Sequence, residues 1–167
     1  MKKRSPLLAL ATASVVTAGV MATSVPAQAA DDWITVSGWS INTQARDTLW
    51  TISYPNSASQ AQGRGQVHWS DVQSNGGYYT EVRAAANDSV RDGYCAVTQL
   101  RYQKKINGTW TWQYRAPAVD CVDSDGDAYW SSHYKSREPI RNAQFRVCLG
   151  SPDGEISLPV QCSPGWD

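Results

Sequence analysis

Four aspartates close together are the first residues in the sequence that could do chemistry. They are Asp120, Asp123, Asp125 and Asp127. Calcium takes about six to eight oxygen ligands, which alternate residues of a tight loop can supply. An EF-hand loop starting at Asp123 would need glycine and glutamate where this chain has Ala128 and Tyr134. We therefore expect no metal or other cofactor and a turn in which carboxylates accept backbone hydrogen bonds, with Asp123, Asp125 and Asp127 as the alternative calcium ligands.

His68, Ser70 and Asp71 are the residue types of a hydrolytic triad. On an extended strand His68 and Ser70 would share one face about 7 Å apart, and nothing nearby activates either. The sequence contains no G-x-S-x-G elbow and no H-E-x-x-H helix. Its three glutamates lie in unrelated contexts, which argues against a glycosidase pair. We predict no catalytic residues, and a small hydrolase or an enzyme inhibitor is the alternative.

The aromatic side chains are the next candidates, because the chain has eight tryptophans and eight tyrosines but one phenylalanine. Tryptophan and tyrosine are enriched among the residues that dominate binding energy at interfaces. The predicted binding residues are Trp33, Trp39, Trp50, Trp110, Trp112 and Tyr114. The alternative is that most of these rings fill the core, since the chain offers little other bulk.

The first 29 residues have the features of a signal peptide. Basic residues at 2–4 precede a mostly apolar stretch at 7–21, and residues 27–29 form an A-x-A cleavage site. The stretch is short and rich in serine and threonine, which disfavours a transmembrane anchor. We predict cleavage after Ala29 and a secreted, extracellular protein with no membrane attachment afterwards.

Charge limits the partners of the predicted mature chain. The first 29 residues hold three basic side chains and no acid, so the remaining 138 carry 12 basic and 15 acidic side chains. A net charge of −3 is unlike that of nucleic-acid-binding domains, which are strongly basic. The expected partner is another secreted or cell-surface protein, or a polysaccharide.

All four cysteines lie in the second half of the chain, at Cys95, Cys121, Cys148 and Cys162. An even number in an exported protein predicts two disulfides, whereas structural zinc sites need shorter paired spacings than these. Four cysteines allow three pairings. We predict the sequential one, Cys95–Cys121 and Cys148–Cys162.

The elements that must position these residues are short strands. Apolar and polar residues alternate with period two around residues 50–54, 78–84, 95–102, 109–114 and 143–148, and turn residues lie between them. Asn107-Gly108 is the preferred pair for a two-residue hairpin turn. This pattern predicts seven to nine strands in an all-β, immunoglobulin-like, two-sheet antiparallel sandwich, with a closed barrel as the alternative.

The predicted organisation has three parts: a signal peptide at 1–29, an aromatic N-terminal segment and linker at 30–64, and the β-sandwich domain at 65–167. Residues 57–65 are rich in glycine, serine and glutamine, which is typical of a long loop or linker. The aromatic segment before them either docks on the sandwich, which we favour, or forms an arm that is available to a partner.

The region from Asn87 onward resembles a family of small secreted actinobacterial β-sandwich proteins, most of which have no known function. The matching pieces are residues 88–93 before a strand with Ala96, the internal Cys121, residues 145–148 and residues 161–163. The resemblance covers residues 65–163 and implies a sandwich fold, without any catalytic residues. In size and predicted export the chain is also similar to adaptor subunits of secreted antibacterial toxin particles.

These observations favour a secreted, non-catalytic binding module that binds another protein. A carbohydrate-binding module with a Trp/Tyr platform is one alternative, and an adaptor subunit of a toxin particle is another.

Overall fold

The computed structural model describes residues 32–54, 59–90, 93–122, 127–151 and 161–167, with the backbone alone at 49–54 and 59–60. The described residues form ten β-strands and no helix. The strands are β1 (Trp33–Val36), β2 (Gln44–Tyr54), β3 (Ser59–Trp69), β4 (Thr80–Asp88), β5 (Cys95–Ile106), β6 (Thr109–Asp120), β7 (Tyr129–Trp130), β8 (His133–Ser136), β9 (Arg141–Gly150) and β10 (Gln161–Cys162). The predicted signal peptide lies outside the described residues.

The strands form two antiparallel sheets, which confirms the predicted all-β class. The larger sheet has the order β1-β8-β4-β3-β2, with β7 also paired to β4. The smaller sheet has the order β10-β9-β5-β6. Contacts of β3 and β4 with β5, β6 and β9 join the sheets face to face.

The core lies between the two sheets. Its largest fully buried side chains include Tyr102, Phe145 and Leu100, which alternate with polar neighbours as the sequence predicts. The Thr98 hydroxyl donates a 2.6 Å hydrogen bond to the Ala85 carbonyl, which links β5 of one sheet to β4 of the other. Buried polar groups of this kind are tolerated because they are paired.

The predicted hairpin at residues 107–108 is present between β5 and β6. Asn107 and Gly108 have φ values of 49° and 84°. Positive φ at both central residues is the requirement of a type I′ turn, whose twist matches that of the flanking strands. Ile106 and Thr109 are therefore paired directly across the turn.

The prediction of a loop or linker at 57–65 is wrong for residues 59–65, which belong to β3. This strand pairs with β2 on one side and β4 on the other. A Cβ on Gly65 would lie 2.3 Å from the Phe145 ring, and a Cβ on Gly63 would lie 2.5 Å from the Thr98 hydroxyl. The glycines therefore admit close approach of the smaller sheet.

The N-terminal segment is part of the larger sheet. β1 pairs with β8, and β2 forms an eleven-residue ladder with β3. The predicted boundary between residues 64 and 65 falls inside β3, so the structure contains no separate N-terminal arm among residues 32–54.

Both predicted disulfides, Cys95–Cys121 and Cys148–Cys162, are confirmed. They close separations of 26 and 14 residues, for which loop entropy gives about 3.5 and about 3 kcal/mol. Disulfides of this kind are typical of an oxidising, extracellular environment. Within the described ranges, no helix is long and apolar enough to cross a bilayer.

Candidate functional site

The structure separates the predicted binding residues. Trp33 is 4% exposed and packs edge-on against Tyr102 in the core, at 5.2 Å between ring centres. It is therefore unavailable to a partner, and its prediction as a binding residue is corrected. Trp50 lies on β2 opposite Gly63, and its side chain is outside the described part.

Trp39 belongs to a segment that we call the strap, residues 37–43. The strap connects β1 to β2, which lie at opposite edges of the larger sheet, so it crosses that sheet's outer face. The Trp39 ring stacks on His68 at 3.9 Å and 7°, and meets His133 edge-on at 4.7 Å. Trp39 thus helps to hold the strap, and because it is half-buried, as Trp110 and Trp112 are, its role as a binding residue stays a prediction.

The strap is fixed to the sheet by Glu81, which is fully buried. Its carboxylate accepts hydrogen bonds from the Ser40 amide at 2.7 Å, from the Ile41 amide at 2.9 Å and from the Ser40 hydroxyl. Lys135 Nζ lies 3.4 Å from the same carboxylate. Burial alone would raise the pKa of Glu81, but the hydrogen bonds and Lys135 outweigh it and lower the pKa.

His68 and Ser70 each make a hydrogen bond to a backbone carbonyl. His68 Nδ1 lies 2.8 Å from the Ile41 carbonyl oxygen, so it supports the strap. The Ser70 hydroxyl donates to the Asp71 carbonyl at 2.9 Å. These hydrogen bonds give each residue a local structural role.

The aspartate cluster also has a local role where it is described. Asp120 is buried and accepts hydrogen bonds from the Asp88 amide at 3.0 Å and the Val122 amide at 3.1 Å. Asp123 and Asp125 lie outside the described residues, and Asp127 is exposed. Among described side chains, no group of three or more histidine, cysteine or acidic residues could hold a metal ion. The metal predictions at Asp123, Asp125 and Asp127 stay predictions.

We expect Glu81→Gln to destabilise the protein by about 2 kcal/mol at pH 7, because hydrogen bonds to a charged group contribute about 1.5–3 kcal/mol. A lowered folded-state pKa means that the carboxylate stabilises the fold above its ordinary pKa of 4.5. That stability is lost as pH falls through the lowered value. Urea denaturation from pH 7 to pH 3 should therefore show a smaller acid-dependent loss in the variant.

Glu138→Gln is the matched control, since Glu138 is exposed. It should unfold at the same urea concentration as the wild type at pH 7. Equal stability of Glu81→Gln and the wild type would show that the strap does not depend on this carboxylate.

The remaining predicted residues meet on the outer face of the smaller sheet. We call this surface the arginine–tryptophan face. Strand alternation and register place on it Gln99, Arg101, Gln103, Lys105, Trp110, Trp112, Tyr114, Arg141, Gln144, Arg146 and Trp166. Trp110 and Trp112 are half-buried, and Tyr114 is 43% exposed. The predicted row on β6 is therefore present and partly open.

Guanidinium groups cover the indole rings of this face. Arg101 lies over both Trp112 and Trp166, at 4.5 Å from each ring centre. Arg146 lies over Trp166 at 4.3 Å. Such stacking contributes about 0.5–1 kcal/mol per pair at exposed sites. These three contacts connect four side chains in one continuous series, in the order Trp112, Arg101, Trp166 and Arg146.

The strand positions of the arginine–tryptophan face carry charge of one sign. Register places Arg101, Lys105, Arg141 and Arg146 on it and no Asp or Glu of the described strands. Asp167 pairs with Phe145 through two backbone hydrogen bonds, so its register position is on the opposite side of the sheet from Arg146. The face is therefore cationic although the predicted mature chain is net acidic.

Sequence reasoning missed the arginines and Trp166. Arg101 and Arg146 each occupy a polar position in the alternation of a predicted strand. That position predicts an exposed side chain, but it does not predict contact with a tryptophan ring. Trp166 follows the last disulfide, and only its backbone pairing beside β9 brings it to the face. No local pattern in residues 163–167 indicates that pairing.

With this geometry established, comparison with known proteins gives no relative: no protein-family model, curated protein or solved structure matches the chain.

Proposed function

We propose that the protein is a secreted, non-catalytic binding module that binds another protein through the arginine–tryptophan face. The observation that carries this proposal is the composition of the face. Partly exposed tryptophan and tyrosine lie beside arginine, and these three residue types are the ones enriched at interface hot spots.

The edge of the sheet adds a second source of support. β6 carries Trp110, Trp112 and Tyr114, and it is the last strand of the smaller sheet in the part of the chain that is described. An edge strand offers backbone hydrogen-bonding groups to a partner's strand, while alternate side chains provide specificity. The aromatic side chains and the backbone groups of the sheet edge therefore belong to the same strand.

Capture from culture supernatant tests the proposal. A tagged chain starting at residue 30 should retain one or more secreted proteins, identified by mass spectrometry. Tyr114→Ala should lose them, because truncation of a hot-spot aromatic costs about 2 kcal/mol or more of binding energy. Thermal melting of each variant checks that it is folded.

Tyr129→Ala provides the matched control. Tyr129 is 56% exposed but lies on β7 of the larger sheet. We expect it to capture the same proteins as the wild type. Capture that survives both Tyr114→Ala and Trp112→Ala would contradict the proposed face.

Carbohydrate binding is the second candidate, favoured by the row of rings at alternate positions of β6. On strand geometry these rings are about 7 Å apart, so they could follow a chain of sugars. Arg101 over Trp112 and Arg141 over Trp110 reduce the ring surface available for stacking. Retention on insoluble polysaccharide that is lost in Trp112→Ala would favour this candidate.

Four finer predictions remain proposals. Secretion is supported by the two disulfides and by the signal-like residues 1–29. The immunoglobulin-like arrangement has support from the two packed sheets, although β2, β3 and β4 form a meander, unlike the immunoglobulin strand order. Membership in the secreted actinobacterial family and an adaptor role in a toxin particle rest on the sequence features alone.

A further inference from the structure

Two arginines of the arginine–tryptophan face are held in fixed positions by neighbouring amides. Arg101 Nε donates to Gln144 Oε1 at 3.0 Å, and Arg146 Nε donates to Gln99 Oε1 at 2.9 Å. Each pair lies directly opposite in the register of β5 and β9. Both guanidinium groups also lie over the Trp166 ring, at 4.5 and 4.3 Å from its centre, so the two side chains meet at that ring.

The terminal nitrogens of both guanidinium groups are unpaired within the described part of the chain. Neither Arg101 nor Arg146 makes a hydrogen bond through Nη1 or Nη2 to a described residue, and neither has a described carboxylate partner. Burial lowers the pKa of Arg146, and the nearby Arg101 lowers it further, against an opposing effect of Tyr114. The pair thus brings like charges together, and no described side chain forms a salt bridge with either.

Such an arrangement has the geometry that an oxyanion requires. A planar guanidinium binds a carboxylate through two parallel hydrogen bonds, and fixing its plane beforehand reduces the entropy lost on binding. Here the hydrogen bond from Nε and the contact with Trp166 restrain each guanidinium, while its terminal nitrogens, unpaired among the described residues, supply donors.

We propose that Arg101 and Arg146 form a binding site for carboxylate groups and that its occupant is an acidic segment of the partner protein. This inference rests on the proposed function and names the chemistry of its partner. Charge complementarity selects an acidic partner, since register places four cations on the surrounding face and no Asp or Glu of the described strands. A protein is favoured over an acidic polysaccharide because Arg101 and Arg141 cover ring surface on which sugars would stack.

The test uses the full predicted mature chain and three soluble probes: an oligoglutamate peptide, an oligoglutamine peptide of equal length and alginate. Binding is followed by tryptophan fluorescence and by calorimetry. We expect oligoglutamate to bind with an affinity that falls as salt rises, and oligoglutamine not to bind. The double variant R101Q/R146Q should bind oligoglutamate at least about tenfold more weakly.

Two further variants separate geometry from charge and from folding. R101K/R146K keeps the charge but loses the planar fork, so its affinity should lie between those of the wild type and R101Q/R146Q. R137Q removes one exposed cation elsewhere and should bind like the wild type. Melting temperatures identify any variant that is not folded. If R101Q/R146Q is not folded, the affinity of R101K/R146K for oligoglutamate decides whether the two arginines bind carboxylates.

Three results would overturn the inference: oligoglutamate affinity unchanged in R101Q/R146Q, binding of alginate but not oligoglutamate, or no binding of either probe. The last two leave the capture experiment with Tyr114→Ala intact. Failure of this site and failure of the proposed protein-binding face are therefore observed separately.

Discussion

A chain that begins at Gly63 will fail to fold. The truncation removes β1, the strap, β2 and the start of β3. It deletes buried Trp33, and loss of a buried aromatic side chain costs about 3–5 kcal/mol. It also leaves Glu81 without the Ser40 and Ile41 donors. Because domains have about 5–15 kcal/mol of net stability, these losses together remove the folded state.

Expression and circular dichroism check this expectation, with the chain starting at residue 30 as the reference. The truncated chain should be insoluble or should melt without cooperativity. Trp33→Ala in the full chain should be folded but destabilised by about 3–5 kcal/mol. A soluble, cooperatively melting fragment would instead support an N-terminal arm that is not needed by the body of the protein.

Gly65→Val is the second change with a large expected effect. Its Cβ alone would lie 2.3 Å from Phe145 Cγ and Cδ2, and valine adds two further carbons. Phe145 is fully buried between the sheets and has little room to move. Overpacking usually costs about 1–3 kcal/mol, and the overlap here is severe, so we expect about 3 kcal/mol or more in urea denaturation.

Gly38→Ala is the control, because a Cβ there meets no atom within 4 Å. It should leave the unfolding midpoint nearly unchanged. A double variant, Gly65→Ala with Phe145→Ala, tests the contact itself. Removing the ring relieves the two contacts at 2.3 Å and leaves only Phe145 Cβ at 2.9 Å, so the combined loss should be smaller than the sum of the single losses. Additive losses would exclude this contact as the cause.

Much of the smaller sheet could be predicted from the sequence because local signals agree with the final packing. Thr98, Leu100 and Tyr102 alternate with polar residues and do face the core. Asn107-Gly108 specifies its turn through backbone conformation alone. The sequential disulfide pairing could be predicted because each disulfide joins neighbouring strands that follow one another in the sequence, β5 with the end of β6 and β9 with β10.

The third strand could not be predicted because its determinants are non-local. Residues 59–65 have the composition of a loop, yet Gly63 and Gly65 occupy core-facing positions opposite bulky side chains of the other sheet. The bulk that completes this part of the core belongs to Phe145 and Val147, about eighty residues later. Burial alternates along the strand, with Ala61, Gly63, Gly65 and Val67 buried, but the two glycines have no apolar side chain that would reveal the alternation in the sequence.

Only part of the candidate site could be predicted, because its other determinants are also non-local. Alternation places Trp110, Trp112 and Tyr114 on one side of a strand, which the structure retains. The partners that define the face's charge come from β5, β9 and the residues after β10, and their meeting depends on strand order. The prediction of Trp33 as a binding residue is wrong because its burial depends on a distant partner, Tyr102.

The pairing of β1 with β8 has a consequence for the order of assembly. Trp33 lies opposite Ser136, so the first strand of the sheet has its partner more than a hundred residues later. Closing so long a loop is entropically costly and slow relative to local hairpins. As the chain emerges N terminus first, β2, β3 and β4 can form a meander early, while β1 must wait for β8. We expect the first strand to be made to dock late, leaving Trp33 exposed to water, and to any chaperone present, until most of the chain has emerged.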